Sequence, residues 1–252
     1  MKAWNTSVGG WMLVAVVLGT APTAQATTYD LNADWSDSSN PNGVWTYREG
    51  TNALPHVAAW QGLSGDFVTA QPAWARNPTG SSNLPPWFKS SAVVGITHDW
   101  QTGDVVMHST DGFNGIGSGE GNVIWTSPIS GTATISGNTW MGRDIGRGNH
   151  WALYNNGLLF TQGDIFSGDA YNRASPFDFA NGSGGALALQ NIPVMVGSVF
   201  ELRITRTSGP GDYAGVNLTV TTVPEPCTAL LGFSGLGAMV AMCRRTRFNC
   251  GG

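Results

Sequence analysis

Strict alternation of apolar and polar side chains near the end of the chain constrains the fold more than any other feature of the sequence. In residues 199–205 and again in residues 216–222, apolar side chains occupy every second position. This period is that of a β-strand with one face in a core and the other in solvent. Residues 208–212 between the two segments read Ser-Gly-Pro-Gly-Asp, which is turn chemistry. The sequence therefore predicts a hairpin of two half-buried strands.

Shorter segments upstream carry the same kind of signal. Residues 151–154 and 158–161 flank Asn-Asn-Gly at 155–157, and Asn-Gly tolerates the positive φ angles of a tight turn. These residues predict a second hairpin. Three further segments are predicted to be strands, the first two as a pair: residues 92–98, 104–109 and 132–136.

The fold class follows from these strands and from the turns between them. No segment between the two ends of the chain shows a helical period, and the chain contains 35 glycines. Short strands joined by many turns are typical of antiparallel sandwiches. We expect an all-β fold, a single antiparallel β-sandwich of jelly-roll type over residues 27–222. Residues 27–90 are less regular and either supply early strands or form a flap.

The amino end has the pattern of a secretory signal peptide. Lys2 is followed by a mostly apolar stretch over residues 8–20 and by Ala-Gln-Ala at 24–26, which suits a signal peptidase. We expect residues 1–26 to be removed. The alternative, a retained buried or membrane helix, has an apolar run shorter than the roughly 20 residues of a span.

The carboxyl end has a single apolar segment with distinct flanks. Residues 227–243 carry no charge, and as a helix at ~1.5 Å per residue they would cross a thin bilayer. The motif Pro224-Glu225-Pro226 precedes this segment and favours extended chain, because proline disrupts helices. The basic residues that follow would hold the cytoplasmic side. They are Arg244, Arg245 and Arg247.

These three parts together resemble the PEP-CTERM sorting tail. The resemblance covers residues 223–247 and implies recognition by an exosortase, a transient inner-membrane anchor, removal of the tail, and delivery to the cell surface or extracellular matrix. Two features depart from the pattern: Cys227 directly follows the motif, and residues 248–252 extend past the arginines. Lipidation of Cys227 or Cys243 is an alternative means of membrane attachment.

Charge and cysteine content limit the partners of the body, residues 27–222. It has eight basic and fifteen acidic side chains, a net charge of −7, which argues against nucleic acid. All three cysteines lie in the tail, so the body has no disulfide and no thiolate. The expected partners are the exosortase, the membrane before processing, and an exopolysaccharide.

The sequence favours a non-catalytic protein. Its histidines lack the spacing of a zinc site, and no serine stands in a nucleophile elbow. Glu49, Glu120 and Glu201 occur in unrelated sequence contexts. Since two carboxylates suffice for glycoside hydrolysis, a secreted polysaccharide-cleaving enzyme is the alternative. No cofactor is expected, although Asp34 and Asp37 are candidate ligands for a structural calcium ion; Asx-turn capping of the loop is the favoured explanation of these residues.

Carbohydrate binding is suggested by aromatic residues, whose rings can stack on sugars. Residues 125–157 are similar to jelly-roll modules of exported bacterial surface proteins, some of which bind carbohydrate. The loop 167–185 supplies polar groups that could bond sugar hydroxyls. A core role is the alternative for each tryptophan. The candidate ligand-binding residues are Trp140, Trp151, Asp169, Tyr171, Arg173 and Asp178.

Overall fold

The computed structural model describes residues 25–62, 70–76, 85–91, 98–111, 120–207 and 209–225. The predicted apolar segment 227–243 lies outside these residues, as does all of the predicted signal peptide except Gln25 and Ala26. Within the described ranges, no helix has both the length and the apolar character needed to cross a membrane. The described strands belong to one compact unit, Gln25–Glu225.

Short β-strands account for most of the described chain, with two 3-10 helices, Phe179–Asn181 and Ala186–Leu189. The strands are β1 Thr27–Asp30, β2 Trp45–Glu49, β3 Asn52–Ala53, β4 His56–Trp60, β5 Gln71–Trp74, β6 Trp87–Lys89, β7 Val105–His108, β8 Gly121–Thr126, β9 Gly131–Met141, β10 Gly148–Asn155, β11 Leu158–Phe166, β12 Phe177–Asp178, β13 Ile192–Val194, β14 Val199–Arg206 and β15 Tyr213–Pro224.

The strands form two antiparallel sheets. The nine-stranded sheet has the order β12-β9-β15-β7-β6-β5-β4, with β1 also paired to β15 and β13 to β9. The six-stranded sheet has the order β11-β10-β14-β8-β2-β3. Apolar residues of both sheets share one core, for example Trp125 and Leu202 from the six-stranded sheet and Val216 from the other. The expected all-β, sandwich-like fold is confirmed.

The predicted hairpin of residues 199–205 and 216–222 is wrong in its pairing. Both segments are strands with the expected alternation, but β14 lies in the six-stranded sheet and β15 in the nine-stranded sheet. The intervening turn therefore carries the chain from one sheet to the other. Alternation determines which face of a strand is buried, whereas it leaves the hydrogen-bonded neighbour open. Here the apolar faces of both strands contribute to the same core.

The predicted hairpin around residues 155–157 is confirmed. β10 pairs with β11 across a turn in which Asn156 has φ 48° and Gly157 φ 82°. The backbone N–H of Asn156 donates to the Val199 carbonyl at 2.9 Å, and the Val199 N–H donates to the Asn156 side chain at 2.9 Å. The turn is thereby tied to the start of β14.

The other predicted strands have mixed outcomes. Residues 132–136 lie within β9, as predicted. Residues 105–108 form β7, but β7 pairs with β6 and β15 and not with the segment before it. Residues 92–97 lie outside the described chain, and His98 forms an isolated bridge with Arg143.

The antiparallel registers bring the end of β15 and three turns to the same end of the body. Thr27 pairs with Thr222, so β1 also begins there. Pro224 and Val194 both pair with Gly131 at the start of β9. We call this end the exit end, defined by Pro224 and by the turns at residues 127–130, 155–158 and 194–198.

Candidate functional site

A cleft of about 570 Å³ opens on the outer face of the six-stranded sheet. Its walls come from β2, β8 and β14 and from the turn between β2 and β3. We call it the glutamate–arginine cleft after the side chains that line it. Its charged and amide residues are Arg48, Glu49, Glu120, Asn122, Glu201 and Arg203.

Strand register places three of these residues in one row. Arg48 on β2 is paired with Asn122 on β8, and Asn122 is paired with Arg203 on β14. Side chains of directly paired residues stand on the same face of a sheet. Since Leu202 and Ile204 face the core, Arg203 faces outward, and the whole row is directed into the cleft.

Glu201 is held by two hydrogen-bond donors. The Asn122 amide donates to one carboxylate oxygen, and the Arg203 guanidinium donates to the other at 2.9 Å. This hydrogen bond raises the pKa of Arg203. Arg203 also lies 3.8 Å from the Glu120 carboxylate and 4.2 Å from the centre of the Tyr154 ring. Arg203 and Glu201 are therefore fixed in position.

The rim of the cleft is fixed by the turn between β2 and β3. The N–H of Gly50 donates to the Asn122 side chain at 3.1 Å, and the Asn122 amide donates back to the Gly50 carbonyl at 3.3 Å. Gly50 has φ 54°, a conformation that glycine adopts without the strain of a side chain. The turn thus positions Asn122 for its bond to Glu201.

Glu49 borders the cleft through β2, but its side chain points to the opposite, core-facing side of the strand from Arg48, and 2% of the residue is exposed. It forms an ion pair with Arg76, which follows β5. Burial lowers the pKa of Arg76. Within the described part of the chain, neither Glu49 oxygen has a hydrogen-bond partner that meets ordinary geometry. The ion pair is therefore what balances this buried charge.

Arg48 differs from the other charged groups of the cleft. Its guanidinium has no ion-pair or hydrogen-bond partner among the described residues, and its Nε is buried. The cleft thus combines the guanidinium of Arg48, which can donate several hydrogen bonds, with carboxylate and amide groups that are fixed in position. Such a mixture of donors and acceptors suits a ligand rich in hydroxyl groups.

Trp140 and Trp151 are core residues. Trp140 is 1% exposed and its Nε1–H donates to the Asp99 carbonyl at 2.6 Å. Trp151 is fully buried and packs against Phe177 and Phe179. Rings without solvent exposure cannot stack on a sugar, so the burial of both corrects their prediction as ligand-binding residues and supports the core alternative.

The four remaining candidates from the loop 167–185 do not form one site. Asp169 and Tyr171 line a shallow pocket of about 150 Å³, where Asp169 accepts the Phe166 and Tyr171 N–H groups at 2.7 Å each. Arg173 forms two hydrogen bonds with Asp104, which raise the pKa of Arg173.

Asp178 has a local structural contact. Its carboxylate accepts the Ala180 N–H at 2.8 Å and caps the first 3-10 helix. Asp169 acts in a similar way on its own loop, as an Asx-turn residue does. The structure therefore assigns these acidic groups to loop geometry.

The calcium candidates Asp34 and Asp37 accept indole hydrogen bonds. Asp34 accepts from Trp45 Nε1 at 3.0 Å, and Asp37 accepts from Trp35 Nε1 at 2.7 Å. In the chain as far as it is described, no group of three or more His, Cys, Asp or Glu side chains is placed to hold a metal ion.

The sorting motif is described only in part. Pro224 ends β15, and Glu225 is exposed while its N–H donates to the Ser130 carbonyl at 3.1 Å. The third residue, Pro226, lies outside the described chain, as do Arg244, Arg245 and Arg247.

The sequence did not indicate that Glu49, Glu120 and Glu201 line a common cleft. Asn122 and Glu201 are separated by 79 residues, and Gly50 and Asn122 by 72. Only the order β2-β8-β14 brings them together. The one sequence signal was the outward position of Glu201 and Arg203 in the alternation of β14.

Comparison with known proteins finds no match to any family model, curated protein or solved structure. What the cleft can bind is therefore inferred from its own side chains. Those side chains offer both hydrogen-bond donors and hydrogen-bond acceptors on the outer face of three paired strands.

Proposed function

We propose that this chain is an exported, non-catalytic bacterial surface or extracellular-matrix protein that binds polysaccharide in the glutamate–arginine cleft. The observation that carries the proposal is the row Arg48, Asn122 and Arg203 on the outer face of three adjacent strands. Sugar hydroxyls both donate and accept hydrogen bonds, and the cleft offers guanidinium and amide donors beside carboxylate acceptors. An open groove on a sheet also suits an extended chain of sugars.

Export and sorting complete the proposal. Residues 1–26 act as a signal peptide, and residues 223–247 act as a PEP-CTERM tail that an exosortase removes after a transient stay in the inner membrane. In support, β1 begins at Thr27, directly after the first segment, and β15 ends at Pro224, the second residue of the tail.

The body is proposed to be a jelly roll. The support is its connectivity: over the described strands the chain changes sheets eight times, for example between β8 and β9, between β13 and β14, and between β14 and β15. Repeated crossing between two antiparallel sheets is what a pair of interlocked Greek keys requires.

Calorimetric titration with purified matrix polysaccharides tests the proposed binding. Arg48→Ala should weaken binding about 10- to 100-fold, because a hydrogen bond to a charged group contributes ~1.5–3 kcal/mol. The matched control is Asp164→Ala, on β11 at the far edge of the same sheet, where Asp164 is exposed. The control should bind as wild type does. Equal affinity of wild type and Arg48→Ala would place binding elsewhere.

A polysaccharide-cleaving activity is the second candidate, since the carboxylates of Glu120 and Glu201 both lie beside Arg203 in one cleft. A general acid must donate a proton, whereas both oxygens of Glu201 accept hydrogen bonds. This favours binding over cleavage. The same titration separates the two: a binder releases heat without new reducing ends. Reducing ends that appear with wild type and disappear with Glu120→Gln would establish the enzyme instead.

A further inference from the structure

Large apolar side chains are exposed at the exit end of the body. Leu158, Met195 and Val196 are 74%, 71% and 70% exposed, and Val223 is 41% exposed. Single exposed apolar residues are common on protein surfaces. Leu187 is 85% exposed elsewhere, and Phe166 and Ile145, at the opposite end, are 52% and 37% exposed. Several side chains exposed by 70% or more at one end point to a surface that is covered by something else.

Hydrogen bonds connect the turns that carry these residues. The N–H of Gly197 donates to the Ser127 carbonyl at 2.8 Å, which joins the Met195–Val196 turn to the turn before β9. The paired bonds between Asn156 and Val199 join the Leu158 turn to the same region. These hydrogen bonds therefore hold the turns that carry the exposed apolar residues close to one another.

The two ends of the body differ in charge. The turns at 127–130, 155–158 and 194–198 contain no charged residue, and Glu225 is the one charged group of residues 223–225. At the opposite end, the loop between β9 and β10 alone carries Arg143, Asp144 and Arg147. Uncharged turns with exposed apolar tips suit the interface of a bilayer, where apolar groups insert among the headgroups.

The chain beyond the described body identifies the occupant. Only Pro226 separates Glu225 from the uncharged residues 227–243, and one residue spans at most ~3.6 Å. If that segment enters a bilayer, the exit end is brought within a few ångströms of the headgroups. We propose that, while the tail is attached, the exit end rests on the lipid surface with Leu158, Met195 and Val196 inserted in the interface. This inference depends on the membrane-anchoring role of the tail given under the proposed function.

The test uses the full chain with Cys227, Cys243 and Cys250 changed to serine and one fluorescent label. The label is attached at Ser130→Cys, on an exit-end turn, or at Asp144→Cys, on an exposed loop of the opposite end. The protein is reconstituted in vesicles of phosphatidylethanolamine and phosphatidylglycerol with brominated acyl chains. Flotation of the vesicles measures anchoring, and quenching by bromine measures the proximity of the label to lipid.

If the exit end docks on lipid, the protein should float with the vesicles. Bromine should then quench the label at position 130 several-fold more than the label at position 144. Met195→Asp combined with Val196→Asp should abolish this difference without changing flotation. The matched control, Met195→Leu with Val196→Ile, should retain it. All four substitutions fall on two exposed turn positions, so the midpoint of unfolding should not change. Measuring that midpoint checks that each variant is folded.

Three results would overturn the inference. A chain that floats with equal quenching of both labels is anchored but not docked, and the proposed tail function then stands. A chain that does not float contradicts both the docking and the anchor. A label at 130 that is shielded from aqueous iodide but not quenched by bromine would show that a second copy, and not lipid, covers the exit end.

Discussion

At the scale of single residues, the end of β2 beside the cleft carries an ion pair that lies mostly out of solvent. Glu49 is 2% exposed, and its charge is balanced by Arg76. Removing one partner of such a pair leaves an uncompensated charge in a low-dielectric site. Breaking the pair therefore costs more free energy of unfolding than the attraction between the two charges contributes to stability.

Arg76→Ala should lower the free energy of unfolding by about 3 kcal/mol, measured by urea denaturation. The control is Arg48→Ala, at the neighbouring position on β2 to Glu49, where the arginine has no partner in the described chain; it should cost less than about 1 kcal/mol. Glu49→Gln added to Arg76→Ala should restore part of the loss. A cost for Arg76→Ala no larger than that of the control would contradict the assigned pair.

His108 makes stability depend on pH. The residue is 2% exposed, and burial lowers its pKa from 6.5 to about 3, with smaller contributions of the same sign from Arg147 and Arg143. The hydrogen bond to the Ser109 carbonyl acts in the opposite direction. In the unfolded chain the imidazole takes up a proton near pH 6.5, while in the folded protein it stays neutral down to about pH 3. Stability from this group is therefore complete above pH 6.5 and falls as the pH decreases.

Between pH 7 and pH 5, His108 should reduce the free energy of unfolding by about 2 kcal/mol. His108→Gln, which does not titrate, should show a correspondingly smaller decrease over the same interval. Urea denaturation of both proteins at the two pH values measures the difference. Parallel pH profiles would mean that His108 titrates normally in the folded protein.

At the scale of strands, close packing between β9 and β15 restricts one position to glycine. Gly215 lies opposite Trp140, and an added Cβ would overlap the indole ring. The ring is buried and its Nε1–H is bonded to Asp99, so it has little room to move. The strand pair thus fixes both the tryptophan and the glycine.

Gly215→Ala should lower the free energy of unfolding by about 3 kcal/mol because it overpacks a filled site. Gly157→Ala is the matched change: its φ is 82° and no atom lies within 4 Å of the added Cβ, so only backbone strain of about 1 kcal/mol applies. The double variant Gly215→Ala/Trp140→Leu should lose less free energy of unfolding than the sum of the losses of the two single variants. Equal costs for the two alanine substitutions would argue against the packing.

The strands also show what a single sequence can and cannot predict. Alternation in β14 correctly identified Phe200, Leu202 and Ile204 as core residues, and Asn-Gly correctly located the turn between β10 and β11. Local chemistry determines both features. The pairing of β14 with β8 and β10 depends instead on contacts distant in sequence, so the turn at 208–212 was wrongly interpreted as a hairpin.

At the scale of the whole body, the two ends of the sandwich have different character. The row of Arg48, Asn122 and Arg203 lies next to the sheet end at Gly121, whereas Pro224 lies at the exit end. The cleft could not be predicted because it exists only once β2, β8 and β14 are neighbours. Trp140 and Trp151, which the sequence suggested as ligand-binding residues, lie in the core instead, because large rings fill the space between two sheets.

Under the proposed sorting, removal of the tail is the event on which delivery of this body to the surface would depend. Glu225 is exposed beyond the last strand, so Glu225→Ala should change processing and not folding. Val223→Ala, at an exposed neighbouring position outside the Pro-Glu-Pro motif, is the control. The decisive measurement is the intact mass of wild type and both variants isolated from the native host. Wild type and Val223→Ala should start near Thr27 and end between Pro224 and Pro226, with Glu225→Ala retaining Arg247; a wild-type mass that still includes Arg247 would contradict sorting by this tail.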